Sequence, residues 1–160
     1  MSKIYIHYGS DKFDIDKFHG FENTIYSDLA INKPAPKVGL WGSPTDCWLS
    51  WRDWCEDEDF HTENLEKSFT FTLSPEAKIL TVQKCSDVEA FYKSWSEIDE
   101  SFDSLHDLCK AIDFQAIFDA GYDGVELVHS QKYYMELHMG PFYSWDVDSI
   151  VVWNPDVIIS

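Results

Sequence analysis

Two carboxylates near the end of the chain, Asp146 and Asp148, stand directly before an apolar stretch, residues 149–153 (SIVVW). Alternate side chains of an extended strand point to the same side, so both carboxylates share a side with Ile150 and Val152. A carboxylate is costly to bury in apolar surroundings unless it is hydrogen-bonded or opposed by positive charge. Because a cationic transition state is one such positive partner, this pair is a candidate for electrostatic catalysis.

A second candidate is the tryptophan-rich segment at residues 39–55 (GLWGSPTDCWLSWRDWC), which holds four of the seven tryptophans. Indoles at helical spacing usually pack into a core, but an indole can also stack on a flat ligand. Arg52 is the only basic side chain in the segment, and it could bind a pyrophosphate or form ion pairs with nearby acids.

The third candidate is His7, at the end of an alternating stretch, residues 3–8 (KIYIHY), that predicts a strand. Gly9 and Ser10 follow as a tight turn. A histidine in this position is either a hydrogen-bonded structural residue or a ligand-binding group, and the sequence leaves both open.

The elements that must position these residues indicate an α+β fold with a mainly antiparallel split sheet flanked by helices. Ser43 and Pro44 predict a helix start, with Trp48, Trp51 and Cys55 on one stripe. The other predictions are strands at 38–41, 68–73, 77–83, 124–129, 132–139 and 148–153, and helices at 86–96 and 103–120. No repeat or long linker divides the chain, so we expect a single domain over residues 1–160.

The composition narrows the classes of partner. Asp and Glu outnumber Lys and Arg 29 to 12, which gives a net charge of −17. Such a charge repels phosphate backbones, so we expect no direct binding to nucleic acid. The four cysteines form no CxxC pair and the histidines are scattered, so neither a disulfide framework nor a metal site is indicated. The absence of an apolar leader or a long apolar run predicts a cytoplasmic protein without a membrane segment.

Three short motifs, in this order, resemble the ADP-ribosyltransferase-like fold. They are strand–His–Tyr–Gly–Ser at residues 3–10, GLWGS at 39–43, and an acidic residue before SIVVWNPDVI at 149–158. The chain is most similar to small phage-borne and bacterial toxin-like mono-ADP-ribosyltransferases, and the resemblance is weak between residues 56 and 120. It implies NAD as a substrate, either transferred as ADP-ribose to a protein or hydrolysed.

The resemblance also implies roles for residues that bind NAD. His7 would contact a ribose hydroxyl, and the Tyr8–Gly9 backbone with Ser10 would hold the nicotinamide amide. Trp41 and Ser43 belong to the second-strand motif. Trp51, ten residues after Trp41, would stack on the nicotinamide ring.

The catalytic acid of such enzymes lies on a late strand, where it stabilises the oxocarbenium-like charge as the glycosidic bond breaks. Asp148 occupies the matching place in this sequence, where most members have Glu. Asp146 is the second choice and Glu126 the third.

Two other functions remain open. The high negative charge is also typical of a non-enzymatic acidic inhibitor or nucleic-acid mimic that binds a basic protein. The two readings are compatible, because an acidic surface could bring the enzyme to a basic nucleic-acid-binding target. Processing of an RNA 2′-phosphate is a weaker alternative, since such sites use several Arg and Lys residues and this chain has only 12.

Overall fold

A computed structural model describes residues 2–22, 38–48, 50–92, 112–138, 142 and 145–160. The strands are β1 (Tyr5–Tyr8), β2 (Leu40–Pro44), β3 (Ser68–Leu73), β4 (Ile79–Val82), β5 (Gly124–Leu127), β6 (Ser149–Val152) and β7 (Ile158–Ile159). The α-helices of the described residues are α1 (Trp51–Glu58), α2 (Phe114–Asp119) and α3 (Tyr134–His138), with short 3₁₀ helices between them.

The strands form one sheet in the order β4-β5-β6-β2-β1-β3-β7. The prediction of an α+β fold is confirmed. The prediction for the sheet needs correction: β4 and β5 run parallel, so the sheet is mixed, although its other neighbouring pairs are antiparallel. The reason is the long connection between β4 and β5, which contains α2, because a crossover of this length allows two strands to run in the same direction.

Each face of the sheet carries its own apolar cluster. One face buries Val125, Val151 and Trp153 against α2 and α3. The opposite face buries Tyr5, Phe71, Ile150 and their neighbours, and is covered in part by aromatic residues of the loop after β1.

Gly42 allows a side chain of β3 to lie close against β2 on this second face. A Cβ at position 42 would lie 2.9 Å from the ring of Phe71. The missing side chain therefore lets Phe71, which belongs to β3, extend over β1 as far as β2.

Five predicted strands are confirmed within a few residues: those at 3–8, 68–73, 77–83, 124–129 and 148–153. The strand predicted at 38–41 is also present, as β2. The helix predicted to start at Ser43 and Pro44 begins later, with Ser50 as its N-cap. Pro44 instead pairs with Tyr5 at the end of the β1–β2 ladder, a position where a strand tolerates proline.

The strand predicted at 132–139 is wrong, because residues 134–138 form helix α3. The alternation of apolar residues is real, but among residues 132–137, whose burial is described, Leu137 alone is fully buried, against the cluster beneath α2. A backbone hydrogen bond from Leu137 N–H to the carbonyl of Tyr133, at 3.1 Å, closes the helical turn.

The two long predicted helices are replaced in part by shorter elements. Residues 85–91 form two 3₁₀ turns, and α2 covers only Phe114–Asp119 of the predicted 103–120 helix. The remainder of both predictions, 93–96 and 103–111, lies outside the described residues.

Candidate functional site

Strands β1 and β2 separate near the middle of the sheet. Their ladder consists of two residue pairs, Tyr5 with Pro44 and Ile6 with Ser43. Beyond these pairs β1 continues to pair with β3, and β2 continues to pair with β6. We call the place where this ladder ends, with His7 and Tyr8 beside residues 40–42, the split.

His7 spans the split. Its Nδ1–H donates a hydrogen bond of 2.7 Å to the carbonyl oxygen of Trp41, and its ring packs on Phe69 with 5.2 Å between the centroids. Because Nδ1 must carry the proton to donate to a carbonyl, the neutral ring has Nε2 as a hydrogen-bond acceptor. The ring can therefore accept a hydrogen bond from a ligand hydroxyl.

Trp41 approaches the split from the other face of the sheet. Its indole packs on the cluster beneath α2 and α3, whereas Phe69, the partner of His7, belongs to the cluster on the opposite face. The hydrogen bond from His7 to the Trp41 carbonyl joins the two residues across the sheet.

The turn after β1, residues 9–10, is only partly suited to the role of holding a nicotinamide amide. Gly9 has a φ of 109°, and its N–H donates to the carbonyl of Lys67 at 2.9 Å. This N–H is therefore already used inside the protein and does not hold a carboxamide in this structure. The Ser10 hydroxyl donates to the Lys12 carbonyl at 3.4 Å.

Tyr8 links the turn to α1. A hydrogen bond with the Tyr8 side chain, followed by the interaction with Glu56, raises the pKa of Arg52 above its usual value. The exposed guanidinium of Arg52 also lies 3.0 Å from the Glu56 carboxylate. Arg52 thus lies beside β1 as a charged, ion-paired group.

Ser43 connects the split to the tryptophan helix. Its buried hydroxyl oxygen accepts a hydrogen bond of 3.3 Å from the backbone N–H of Trp51, the first residue of α1. Trp51 stacks on Trp54 with 5.1 Å between the ring centroids and 17° between the planes. One face of Trp51 is therefore covered by protein.

Asp148 is 1% exposed and precedes β6 directly. Its Oδ1 accepts a hydrogen bond from the backbone N–H of His129. The His129 ring donates from Nε2 to the carbonyl of Trp145 at 3.2 Å, and Trp145 packs on Trp41 with 5.1 Å between ring centroids. Asp148 is thereby connected to the residues of the split through two buried intermediates.

His129 and Trp145 are site residues that the sequence reasoning missed. Trp145 stands next to the candidate acid Asp146 in the sequence, and this position could have marked it as a candidate site residue. His129 gave no local signal, because its role depends on the antiparallel pairing of β5 with β6.

The other two candidate acids have different surroundings. Asp146 is half-buried. Glu126, in β5, is bound by the side chains of Lys3 and Tyr5, with 2.9 Å from the Tyr5 hydroxyl to Oε2. Burial, together with the charge and hydrogen bond of Glu126, raises the pKa of Tyr5 far above its usual value.

The structure joins His7 to the Trp41 carbonyl and Ser43 to the N–H of Trp51, with the His7 ring on one face of the sheet and the Trp41 and Ser43 side chains on the other. A chain of contacts through His129 and Trp145 runs from Asp148 to Trp41. Glu126 has a separate network. Across the described ranges, no group of three or more His, Cys, Asp or Glu side chains is arranged to hold a metal ion. In the same part of the chain, every helix is too short or too polar to cross a membrane.

Comparison with known proteins finds no matching family model, no similar curated protein and no similar solved structure.

Proposed function

We propose that the protein is a mono-ADP-ribosyltransferase or an NAD glycohydrolase whose substrate binds in the split. The observation that carries the proposal is the split itself. The β1–β2 ladder stops at the pair of Ile6 and Ser43, and His7 is the next residue of β1. On the face of the sheet opposite to the His7 ring, the Ser43 hydroxyl binds the N–H of Trp51. A buried carboxylate, Asp148, precedes the strand next to β2. The sequence motifs that resemble this class lie on these same strands.

The reaction breaks the bond between nicotinamide and the ribose carbon. Nicotinamide leaves with the bonding electron pair as a neutral ring, and positive charge develops on the ribose. An acceptor nucleophile, either a protein side chain or water, then bonds to that carbon and releases its proton to solvent. The groups required are a carboxylate near the developing charge and contacts that fix the ribose and the nicotinamide.

Residues around the split have the chemistry for these tasks. His7 Nε2 can accept a hydrogen bond from a ribose hydroxyl, since Nδ1–H is bound to Trp41. The face of Trp51 opposite Trp54 is the candidate surface for stacking on the cationic nicotinamide ring. Asp148, with its Oδ1 held by the His129 N–H, supplies the negative charge for the transition state.

A second candidate function is supported by the charge. The segment that ends α1, residues 56–59, consists of four exposed acidic residues in a chain of net charge −17. As an acidic inhibitor or nucleic-acid mimic, the protein would bind a basic partner such as a nucleic-acid-binding protein, without using the split. Salt-sensitive capture of that partner, unchanged by His7→Ala or Asp148→Asn, would favour this function.

Thermal unfolding with and without NAD tests the first proposal. NAD at about a hundredfold excess over its Kd should raise the Tm of the wild-type chain by about 5–10 °C. His7→Ala and Trp51→Ala should lose most of the shift. His19→Ala is the matched control, because His19 is exposed and pairs with Glu22 outside the split. No shift in the wild type, together with no release of nicotinamide, would refute NAD as the substrate.

A further inference from the structure

Phe60 lies between two residues with unusual backbone conformations. Asp59 has a φ of 51° and His61 a φ of 47°, and they are the non-glycine residues with positive φ in the described chain. Asp and His are among the residues that adopt this region more readily than most, yet it remains unfavourable for any side chain. Two such residues around one aromatic ring fix the direction in which that ring leaves the backbone.

The ring of Phe60 contacts both stacked indoles. Its centroid lies 5.3 Å from that of Trp54 and 6.1 Å from that of Trp51, with planes at 72° and 88°. Its other neighbour is the His61 ring, at 4.1 Å. Near-perpendicular packing of this kind is a favourable arrangement for aromatic rings. Phe60 therefore packs at the side of the Trp51–Trp54 stack, at the end of α1 remote from the split.

The stack has a direction along the helix. Trp54 lies three residues after Trp51, so it covers the face of Trp51 that points toward the C-terminal end of α1. The other face points toward the N-terminal end, where the N–H of Trp51 is bound to Ser43. The face of Trp51 opposite Trp54 is therefore the candidate stacking face for a flat ligand.

We propose that Phe60 is a positioning residue that holds Trp54 behind Trp51, so that Trp51 presents a preformed, one-sided stacking surface to the split. The identity of the stacked ring as nicotinamide rests on the proposed function. The contact of Phe60 with the stacked Trp51 and Trp54 rings, which we call the lock, does not rest on the proposed function, because it is a property of the free protein. Rigid aromatic surfaces bind flat ligands with little ordering cost, so loss of the lock should weaken binding even though Phe60 is remote from the ligand.

Circular dichroism of the free protein measures the lock. Two stacked indoles couple electronically and contribute a pair of bands of opposite sign. Trp41 and Trp145, also 5.1 Å apart, contribute a second pair, so the Trp51–Trp54 bands are the part of the spectrum that Trp51→Phe and Trp54→Phe each remove equally. Phe60→Leu should strongly weaken the bands, and Phe60→Tyr should preserve them. Phe118→Leu is the matched control, since Phe118 is equally exposed, at 42% against 41%, and stacks on Phe21 elsewhere.

A second variant tests the role of the positive-φ backbone next to Phe60 without changing the Phe60 ring. His61→Gly permits the same φ but allows many others, so it should weaken the bands less than Phe60→Leu does. This variant also keeps the proposal testable if Phe60→Leu does not fold.

NAD affinity measured on the same variants separates the two proposals. Phe60→Leu should weaken NAD binding about fivefold, the effect of losing one aromatic contact, and Phe60→Tyr should restore it. Unchanged bands in Phe60→Leu, or lost bands with unchanged NAD affinity, would overturn the positioning role. If the bands respond as expected but the wild type does not bind NAD, the lock stands and the proposed function fails.

Discussion

Glu126 and Asp148 are buried carboxylates on or next to neighbouring strands, but their surroundings differ. Glu126 is 4% exposed, and its two oxygens are bound by the ammonium of Lys3 and the hydroxyl of Tyr5. Asp148 is 1% exposed, and its Oδ1 is bound by the backbone N–H of His129. The first arrangement joins β1 to β5 across the two strands between them. The second anchors the turn after β5 to the start of β6.

This difference indicates different roles. A carboxylate paired with a lysine has its charge balanced by that partner, so it contributes less to a developing positive charge elsewhere. The peptide N–H of His129 orients Asp148, which directly precedes β6, where the proposed function puts its catalytic acid. We therefore expect Glu126 to matter mainly for stability and, on the proposed function, Asp148 mainly for catalysis.

Glu126→Ala should lower the free energy of unfolding by about 2–3 kcal/mol. The change leaves the buried Tyr5 hydroxyl without its acceptor and creates a cavity beside that hydroxyl. Urea unfolding measures the loss. Asp146→Ala, at a half-buried acidic position, is the control and should change the free energy by less. An equal loss in both variants would show that the network of Glu126 has no special structural role.

Tyr5→Phe should cost about 1 kcal/mol at neutral pH, because it removes one buried hydrogen bond to a charged group. It should also change the response to alkali. The pKa of Tyr5 is raised in the folded state, so its contribution to stability is fully present below the pKa of the unfolded phenol, about 10. That contribution is lost as the pH rises from there toward the folded-state pKa.

The slope of stability against pH above about 10 should therefore be smaller in Tyr5→Phe, by up to about 1.4 kcal/mol per pH unit. Urea unfolding over a range of alkaline pH measures both slopes. Tyr8→Phe provides a matched control at a half-buried tyrosine of the same strand. Parallel slopes in the wild type and Tyr5→Phe would contradict the assigned environment of Tyr5.

Lys3→Met should have a smaller effect, about 0.5 kcal/mol, because the Lys3 side chain is 42% exposed and solvent screens its charge. Methionine keeps an unbranched stem but removes the ammonium, which also lies 5.6 Å from the centroid of the Tyr5 ring. The loss should shrink further at high salt. A loss as large as that of Glu126→Ala would show that the ion pair, and not the tyrosine, holds the network together.

Asp148→Asn should change stability least, within about 0.5 kcal/mol. The amide oxygen of asparagine can still accept the hydrogen bond from His129 N–H, and its shape is nearly that of aspartate. Thermal unfolding at neutral pH measures the change. A large loss of stability would assign Asp148 a structural role like that of Glu126 and remove the basis of the comparison.

The sequence predicted the parts of the fold that depend on local pattern. The alternation at residues 68–73 and the apolar stretch at 149–153 both gave strands with nearly the expected bounds. It failed where tertiary pairing outweighed local preference. Ser43 and Pro44 have the types of a helix start, but pairing with β1 keeps them extended, and Ser50 caps the helix instead.

The candidate site was predictable only as a set of residue types. The spacing of Trp41 and Trp51 did not predict the hydrogen bond between Ser43 and Trp51. It also did not predict that Trp41 lies in strand β2 and Trp51 at the start of α1. The network of Glu126 was missed because Lys3 and Tyr5 are more than 120 residues away from it in the sequence. Contacts of that range depend on the strand order and not on any local motif.

The most direct test of the account is the rate of nicotinamide release from NAD by the wild-type chain and by Asp148→Asn, compared at equal concentrations of folded protein. Our account predicts measurable release by the wild type and a rate lower by a factor of about 100 or more in Asp148→Asn, with Glu126→Gln reduced much less. Equal rates in the wild type and Asp148→Asn, or release that depends on Glu126 instead, would contradict the assignment of the catalytic carboxylate.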